Sequence, residues 1–389
     1  PGDTIMEASS LQMRRASGRQ ASASSASTHS VAPRVFAVKR LQGSFRLQSK
    51  SVCFAEGNGV SSNGATVVET QAKPQKPSFT NANFPVDPEG RTYHLGTKRG
   101  EVANRVLSVG STQRAQLLSQ LLEPPAPGQP LFTRLSSRGF LTITGRFRSI
   151  PVSIVSTHMG MPNMDFVVRE TRAVVDGQLA IVRLGTCGAV QPPAKLGDLL
   201  VASAGSIAVR RDPDAWTLPR AAGGRTRTQP YATTLPVAPD PQLASLLVEE
   251  AAKQVGADRV VEGLNASADS FYSSQGRTGG DFDDRNEGLI AALCKEYPHL
   301  VSLEMETFHL LDLARCARAN SVRGVGMCIA LAERYSNRFL DYASLEAAEL
   351  AGGRACLAAL VRTPLKNDAS MGEAAPEGVP YVWAASAAQ

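Results

Sequence analysis

Gln275 and Arg277 stand two residues apart at the end of the run Phe271-Tyr272-Ser273-Ser274-Gln275-Gly276-Arg277. A glutamine amide offers an acceptor and a donor side by side, whereas a guanidinium offers only donors. Together they match an edge that presents a carbonyl, an N–H and a second carbonyl, as uracil does. The amide takes the N–H and one carbonyl, and the guanidinium holds a carbonyl oxygen. Alone, a polar loop after a strand is usually just solvated. This one gains weight because other segments independently ask for a phosphate and a ribose.

Two segments ask for the phosphate. In Ser108-Val109-Gly110-Ser111-Thr112-Gln113-Arg114 a strand runs into a glycine, a hydroxyl cap and a helix whose first turn carries Arg114. Free N–H groups at a helix start hold anions, and an arginine adds bidentate donors. The bland alternative is a plain cap with a surface arginine. In Val182-Arg183-Leu184-Gly185-Thr186-Cys187-Gly188 an arginine lies inside a strand that otherwise reads as buried. A buried guanidinium must meet an anion. That anion is either an internal carboxylate or a ligand, and Thr186 with its two flanking glycines favours a phosphate.

Leu303-Glu304-Met305-Glu306-Thr307 places two acids at a strand-to-helix junction. A carboxylate such as Glu306 accepts from vicinal ribose hydroxyls, and Met305 gives soft apolar contact to a sugar face. An acidic helix start is the strong competitor. Ser156–Asn163 (Thr157, His158, Met159, Gly160 among them) and the pair Glu333-Arg334 would each pass as a connecting loop and a solvated ion pair.

The elements that must position these groups alternate. Strands are expected at 105–110, 140–147, 152–156, 179–184, 198–208, 259–267 and 323–330. Helices are expected at 112–122, 163–175, 240–255, 287–296, 304–319 and 345–361. This predicts an α/β fold: a single domain with a central mixed β-sheet flanked by helices. The segment 209–239 is Pro- and Arg-rich without a period, so it reads as a flap or an insertion.

The chain has 389 residues, 43% hydrophobic and 20% charged, with a formal net charge of +6. That charge is local. Residues 1–55 hold 8 basic and 2 acidic residues, leaving 33 of each in the remainder. The overall basicity therefore gives no reason to expect a nucleic-acid partner. A basic, Ser-rich, acid-poor stretch reads as a transit peptide for a plastid or mitochondrion, with an ordinary disordered segment and a cytoplasmic protein as the alternative. Residues 56–80 read as a linker, 81–365 as the folded domain and 366–389 as a loose tail. No run approaches the ~18 apolar residues of a membrane-spanning helix. The cysteines (Cys53, Cys187, Cys294, Cys316, Cys328, Cys356) form no C-x-x-C pair, and the five histidines show no metal-ligand spacing. This argues for a reducing compartment and against a zinc site.

Taken in order, these segments resemble the uridine phosphorylases of the nucleoside phosphorylase-I family, from about Tyr93 to Leu365. His94-Leu95-Gly96 resembles the family's N-terminal His-Leu-Gly, and Val109 to Arg114 its first phosphate loop. Ser137-Arg138-Gly139-Phe140 resembles the segment whose arginine crosses to a neighbouring subunit. Arg183 to Gly188 is similar to the phosphate turn, Phe271-x3-Gln275-x-Arg277 to the uracil-reading loop, and Glu304-Met305-Glu306 to the ribose motif. Arg334 matches the arginine beside the base. The resemblance implies phosphorolysis of uridine, with phosphate on Gly110, Arg114, Arg138, Arg183 and Thr186. It implies uracil on Phe271, Gln275, Arg277 and Arg334, and ribose on His94, Met305 and Glu306. It implies a homodimer or hexamer, inorganic phosphate as co-substrate and no organic cofactor. The alternatives are a purine phosphorylase or nucleosidase on the same fold, or a non-catalytic relative. Gly139 stands where bacterial members carry a Glu that helps bind a monovalent cation, which argues against that cation. Ser111 replaces an Asp, and a hydroxyl still caps a helix.

Overall fold

The computed structural model describes residues 78–216 and 229–384. The expected transit peptide, and the linker up to residue 77, lie outside the described residues. The elements run β1 (Arg105–Val109), α1 (Thr112–Ser119), β2 (Phe132–Leu135), β3 (Leu141–Phe147), β4 (Ile150–Ser156), α2 (Met161–Val174) and β5 (Leu179–Ala189). Next come β6 (Leu199–Val201), β7 (Ser206–Arg211), β8 (Tyr231–Thr233), α3 (Pro241–Val255), β9 (Val260–Glu262), β10 (Leu264–Ala268) and α4 (Leu289–Glu296). The chain ends with β11 (Leu300–Glu304), α5 (Thr307–Cys316), β12 (Val322–Glu333), β13 (Arg338–Phe339) and α6 (Tyr342–Arg362).

The strands form one mixed sheet in the order β2-β3-β4-β1-β5-β11-β10-β7-β8, with β12 also on β5, β13 and β6 on β12, and β9 on β6. Its centre is β5. Its sequence, Leu-Ala-Ile-Val-Arg-Leu-Gly-Thr-Cys-Gly-Ala, is buried everywhere except at Thr186. An apolar run without alternation is what a strand covered on both faces requires. Strand β12 lies parallel to β5 from Val322 opposite Leu179 to Glu333 opposite Ala189, and so takes one edge for its whole length. The other edge is shared. Strand β1 pairs with it from Ala180 to Leu184, and β11 only at Gly188 and Ala189. Gly185, Thr186 and Cys187 fall in the gap where one neighbour ends and the next begins. Open α/β sheets bind ligands at such a switch, beyond the carboxyl ends of the strands.

Side-chain parity along β5 separates two cores. Ala180, Val182 and Leu184 pack with Leu118, Leu247 and Leu357 of α1, α3 and α6. Leu179 and Ile181 pack with Met164 and Leu310 of α2 and α5. With a period of two, Arg183 belongs to the α2/α5 face. No helix among the described residues is long and apolar enough to cross a membrane.

Three expectations change. The strand expected at 198–208 is two strands, because β6 pairs with β12 and β9 whereas β7 pairs with β10 and β8. The strand expected at 259–267 likewise divides at Gly263, between β9 and β10. Local composition does not register a change of partner inside an apolar run. The loose tail expected at 366–389 is instead packed as far as Ala384. Trp383 is 1% exposed, stacks on Tyr381 at 4.3 Å and donates from Nε1 to the Ser370 carbonyl at 2.8 Å. Asp368 accepts from Asn104 and Arg105, each at 2.8 Å, at the start of β1. The segment has no period because it is held by individual anchors rather than by a helix face. Trp383→Ala is therefore expected to cost about 3–5 kcal/mol in urea unfolding. A loss within about 0.5 kcal/mol, the usual effect of a surface substitution, would restore the loose-tail reading.

Candidate active site

The gap beside β5 opens into a cavity of about 270 Å3. Nine of the twelve residues singled out from sequence line it: Gly110, Arg114, Arg183, Thr186, Phe271, Gln275, Arg277, Met305 and Glu306. They come from four separate places in the chain: the β1–α1 turn with the first turn of α1, β5, the loop after β10, and the loop between β11 and α5. A larger hollow of about 580 Å3 beside Lys195, Asp198, Arg259 and Glu262 contains none of them.

On the first wall, Ser111 caps α1 by accepting from the Arg114 N–H at 3.2 Å, as expected of a hydroxyl in place of a carboxylate. The Arg114 side chain is held by Glu349 of α6 at 2.7 Å and by the Leu184 carbonyl at 3.3 Å. It is thus a buried, paired cation at the cavity rather than a surface arginine.

Arg183 meets its anions inside the protein. It pairs with Glu304 at 3.0 Å and with Glu306, and it donates to Cys328 Sγ at 3.2 Å. The internal-carboxylate alternative is the one seen here, because β11 delivers both acids to the edge of β5. Burial opposes the Arg183 charge, but Glu306 and then Glu304 more than offset it and hold its pKa above the ordinary arginine range. The guanidinium curls back over its own strand. A Cβ on Gly185 would lie 2.0 Å from Arg183 Nη1, so a side chain there would displace the guanidinium from its two acids.

The two acids divide the work. Glu304 accepts from Asn265 at 2.8 Å, from Ser267, and from the N–H groups of Glu306 and Thr307 at 2.9 and 3.1 Å. Burial pushes its pKa up, and Arg183 with these donors brings it below the usual carboxylate value. Glu304 thus builds the site. Glu306 has fewer donors, Arg183 and the Gly160 N–H at 2.5 Å. Burial raises its pKa, Arg183 lowers it and Glu304 raises it again, leaving it above the ordinary value. It is the acid that gains most from a new donor. The loop carrying Gly160 also brings His158 and Met159 to the cavity. Its hydroxyl- and Gly-rich composition was visible in the sequence, but nothing there separated it from a connecting loop.

The opposite wall is the turn Phe271 to Arg277. A short 3-10 helix (Ser273–Gln275) ends on Gly276 at φ 59°, which a side chain would strain. Gln275 is buried at 3% exposure. The Arg277 guanidinium stacks on the Phe271 ring at 3.8 Å and donates to Gln275 Oε1 at 2.6 Å. Among the described residues neither Arg277 nor Arg334 forms an ion pair. Burial, then the nearby Arg334 charge, push the Arg277 pKa down to about 10, with Tyr272 acting in the opposite sense. This wall therefore carries two positive charges without a paired carboxylate among the described residues.

Three expected residues are not on the cavity wall. Arg334 donates to the carbonyls of Gln275 and Gly276 at 3.0 and 3.2 Å, so here it supports the turn rather than facing a base. His94 and Arg138 stand together elsewhere. Arg138 donates to the Tyr93 hydroxyl at 2.5 Å and lies over its ring, while His94 Nδ1 meets Glu170 at 2.6 Å and its ring stacks on Phe166 at 3.7 Å. Conversely, Phe339 was not foreseen as a lining residue. It arrives by way of β13, a two-residue strand with no sequence signal. Among the described residues no group of three or more His, Cys, Asp or Glu could hold a metal ion.

The family model for the phosphorylase superfamily matches residues 104–357, from the start of β1 into α6. The chain belongs to the phosphorylase superfamily. Within that superfamily it is 31% identical over 275 residues to a uridine phosphorylase of Thermococcus kodakarensis, covering 70% of this chain and 88% of that one. It is also similar to a solved structure from a study of uridine phosphorylases of the oomycete Phytophthora capsici, at 42% identity and a TM-score of 0.68, covering 74% of this chain and all of that one. A nucleoside phosphorylase of Trypanosoma brucei shares the fold at 21% identity and a TM-score of 0.59, covering 72% of this chain and all of that one.

Proposed function

We propose that this superfamily member is a uridine phosphorylase, a pentosyltransferase that converts uridine and inorganic phosphate to uracil and ribose 1-phosphate, reversibly. The observation that carries this is the pairing of Gln275 with Arg277 on a cavity wall without a carboxylate. Cleaving the N-glycosidic bond gives an oxocarbenium-like ribose. The electron pair of the broken bond leaves on uracil, where donors from Gln275 and Arg277 stabilise the developing charge until the base nitrogen takes up, through solvent, the proton that phosphate gives up. Phosphate forms the new bond at the opposite face of the sugar, held by the Gly110 backbone, Arg114 and Thr186. Arg183 joins them by exchanging Glu306 for phosphate. The released Glu306 then accepts from the ribose hydroxyls, with Met305 against the sugar. Inorganic phosphate is the co-substrate, and no organic cofactor takes part. The purified chain is expected to release uracil from uridine only when phosphate is present. Release without phosphate would make it a nucleosidase, a preference for inosine would make it a purine phosphorylase, and no release would make it a non-catalytic relative.

His94 and Arg138, away from this cavity, are read as serving the neighbouring subunit's ligands in a homo-oligomer. A phosphate dianion gains from a second arginine, which also closes the site from water. Mixing Arg138→Ala protein with Arg277→Ala protein is expected to restore part of the activity, because a hybrid pair contains one intact site. Exchange of subunits without any recovery would sink the shared-site reading.

A further inference from the structure

We propose that Asn286 is a positioning residue for base recognition, and that Trp216 and Tyr231, from the segment joining β7 to α3, hold it in place. Asn286 is 3% exposed. Its amide donates to the Ser273 carbonyl at 3.0 Å and to the Arg277 carbonyl at 2.9 Å, with the Tyr272 carbonyl at 3.5 Å. A primary amide has two N–H groups, and both are used to tie the two ends of the turn that contains Gln275. Asparagine is specific here. A carboxylate of the same shape would set acceptors against acceptors, and alanine would leave buried carbonyls with one partner fewer.

The three residues before Asn286 are each clasped by the same outside segment. The Asp283 carbonyl accepts from Trp216 Nε1 at 2.7 Å, and the Asp284 carbonyl from the Tyr231 hydroxyl at 2.6 Å. Arg285 donates to the Ala215 carbonyl at 2.9 Å and lies 5.1 Å from the centre of the Trp216 ring, which also meets Arg211 at 3.9 Å and the edge of the Tyr231 ring at 6.4 Å. Arg285 adopts φ 48°, a left-handed conformation that a non-glycine residue keeps only where its surroundings hold it. The chain thus enters Asn286 along a fixed path. Ala215, Trp216 and Tyr231, from the segment that showed no period in sequence, brace the base-reading turn.

This rests on the proposed function, in which Gln275 and Arg277 meet the base. Asn286→Ala is expected to lower kcat/KM for uridine about 10- to 100-fold, mainly through a raised KM for uridine, because small misplacements of positioning groups cost that much. KM for phosphate should stay within about twofold, since Arg114 and Thr186 lie on the other wall. Asn286→Asp should be at least as impaired. Tyr231→Phe removes one hydroxyl and retains the ring; it should fold like the parent and raise the uridine KM by about three- to tenfold. Thermal melts accompany each variant. Uridine and phosphate constants that change together, activity that merely tracks the folded fraction, or a parental uridine KM in Asn286→Ala and Tyr231→Phe would each overturn the proposal. An unmodified protein that fails to release uracil with phosphate would overturn the proposed function, and this proposal with it.

Discussion

Replacing Arg277 by alanine is expected to lower kcat/KM for uridine by about 10²–10³-fold, the range seen when one preorganised donor to a developing anion is removed. The melting temperature should change little. Arg277 contributes hydrogen bonds to Gln275 and the Phe271 carbonyl, but its charge is opposed by burial and by Arg334. Losing those bonds and relieving that repulsion act in opposite directions on stability. A charge placed where it harms the resting fold is what the proposed contact with a departing, negatively charged base requires. Parallel kinetics and thermal melts check this. Near-parental kcat/KM would remove Arg277 from base recognition, and a collapse in stability would make it a structural residue.

Arg183→Met is expected to act in the opposite way, through stability first. Arg183 is the buried counter-charge of both Glu304 and Glu306, and removing one member of such a cluster typically costs about 3–5 kcal/mol. The pH dependence follows from the directions of the shifts. In the parent, the depressed pKa of Glu304 gives stability that is present above the ordinary value of 4.5 and lost as pH falls through its lower folded value. The raised pKa of Glu306 gives stability that is present below 4.5 and lost as pH rises through its higher folded value. Without Arg183 both folded values move up, so Glu304 contributes less in the first sense and Glu306 more in the second. The deficit of the variant should therefore be largest at neutral pH and shrink as pH falls toward 4.5. Urea unfolding at pH 5 and pH 7.5 measures this, and adding Glu306→Gln should recover part of the loss at the higher pH. A deficit that is the same at both pH values would mean that the two carboxylates are not what Arg183 serves.

These two arginines mark what a sequence makes visible and where it stops. Arg277 was legible because its chemistry is local. Gln275, Gly276 and Arg277 are neighbours in the chain, and one turn with a left-handed glycine is enough to present both side chains. The Ser111 cap on α1 was legible for the same reason. The buried strand 179–184 was also visible, because continuous apolar composition reports burial on two faces. Arg183 was visibly a buried cation, yet its partner could not be named. That choice depends on β11 reaching the edge of β5 just beyond the end of β1, a contact between residues more than a hundred positions apart.

The same limit accounts for the rest. Arg334 carries the charge expected of it, but packing turns it toward the Gln275 and Gly276 carbonyls. The segments 198–208 and 259–267 were recognisable as apolar, while the change of partner that divides each is a property of the sheet. Trp383 gave no periodic signal because one ring in one socket needs none. For this protein, the sequence by itself determined the alternating α/β pattern, the local turns and the types of chemistry available at each. Only the tertiary structure decided which charges neutralise one another, which line the cavity without a paired carboxylate, and which distant residues hold the chain beside the Phe271–Arg277 turn. Hydrogen-bond and ion-pair partners are assigned by distance in space, and a linear sequence encodes that distance only through the whole fold.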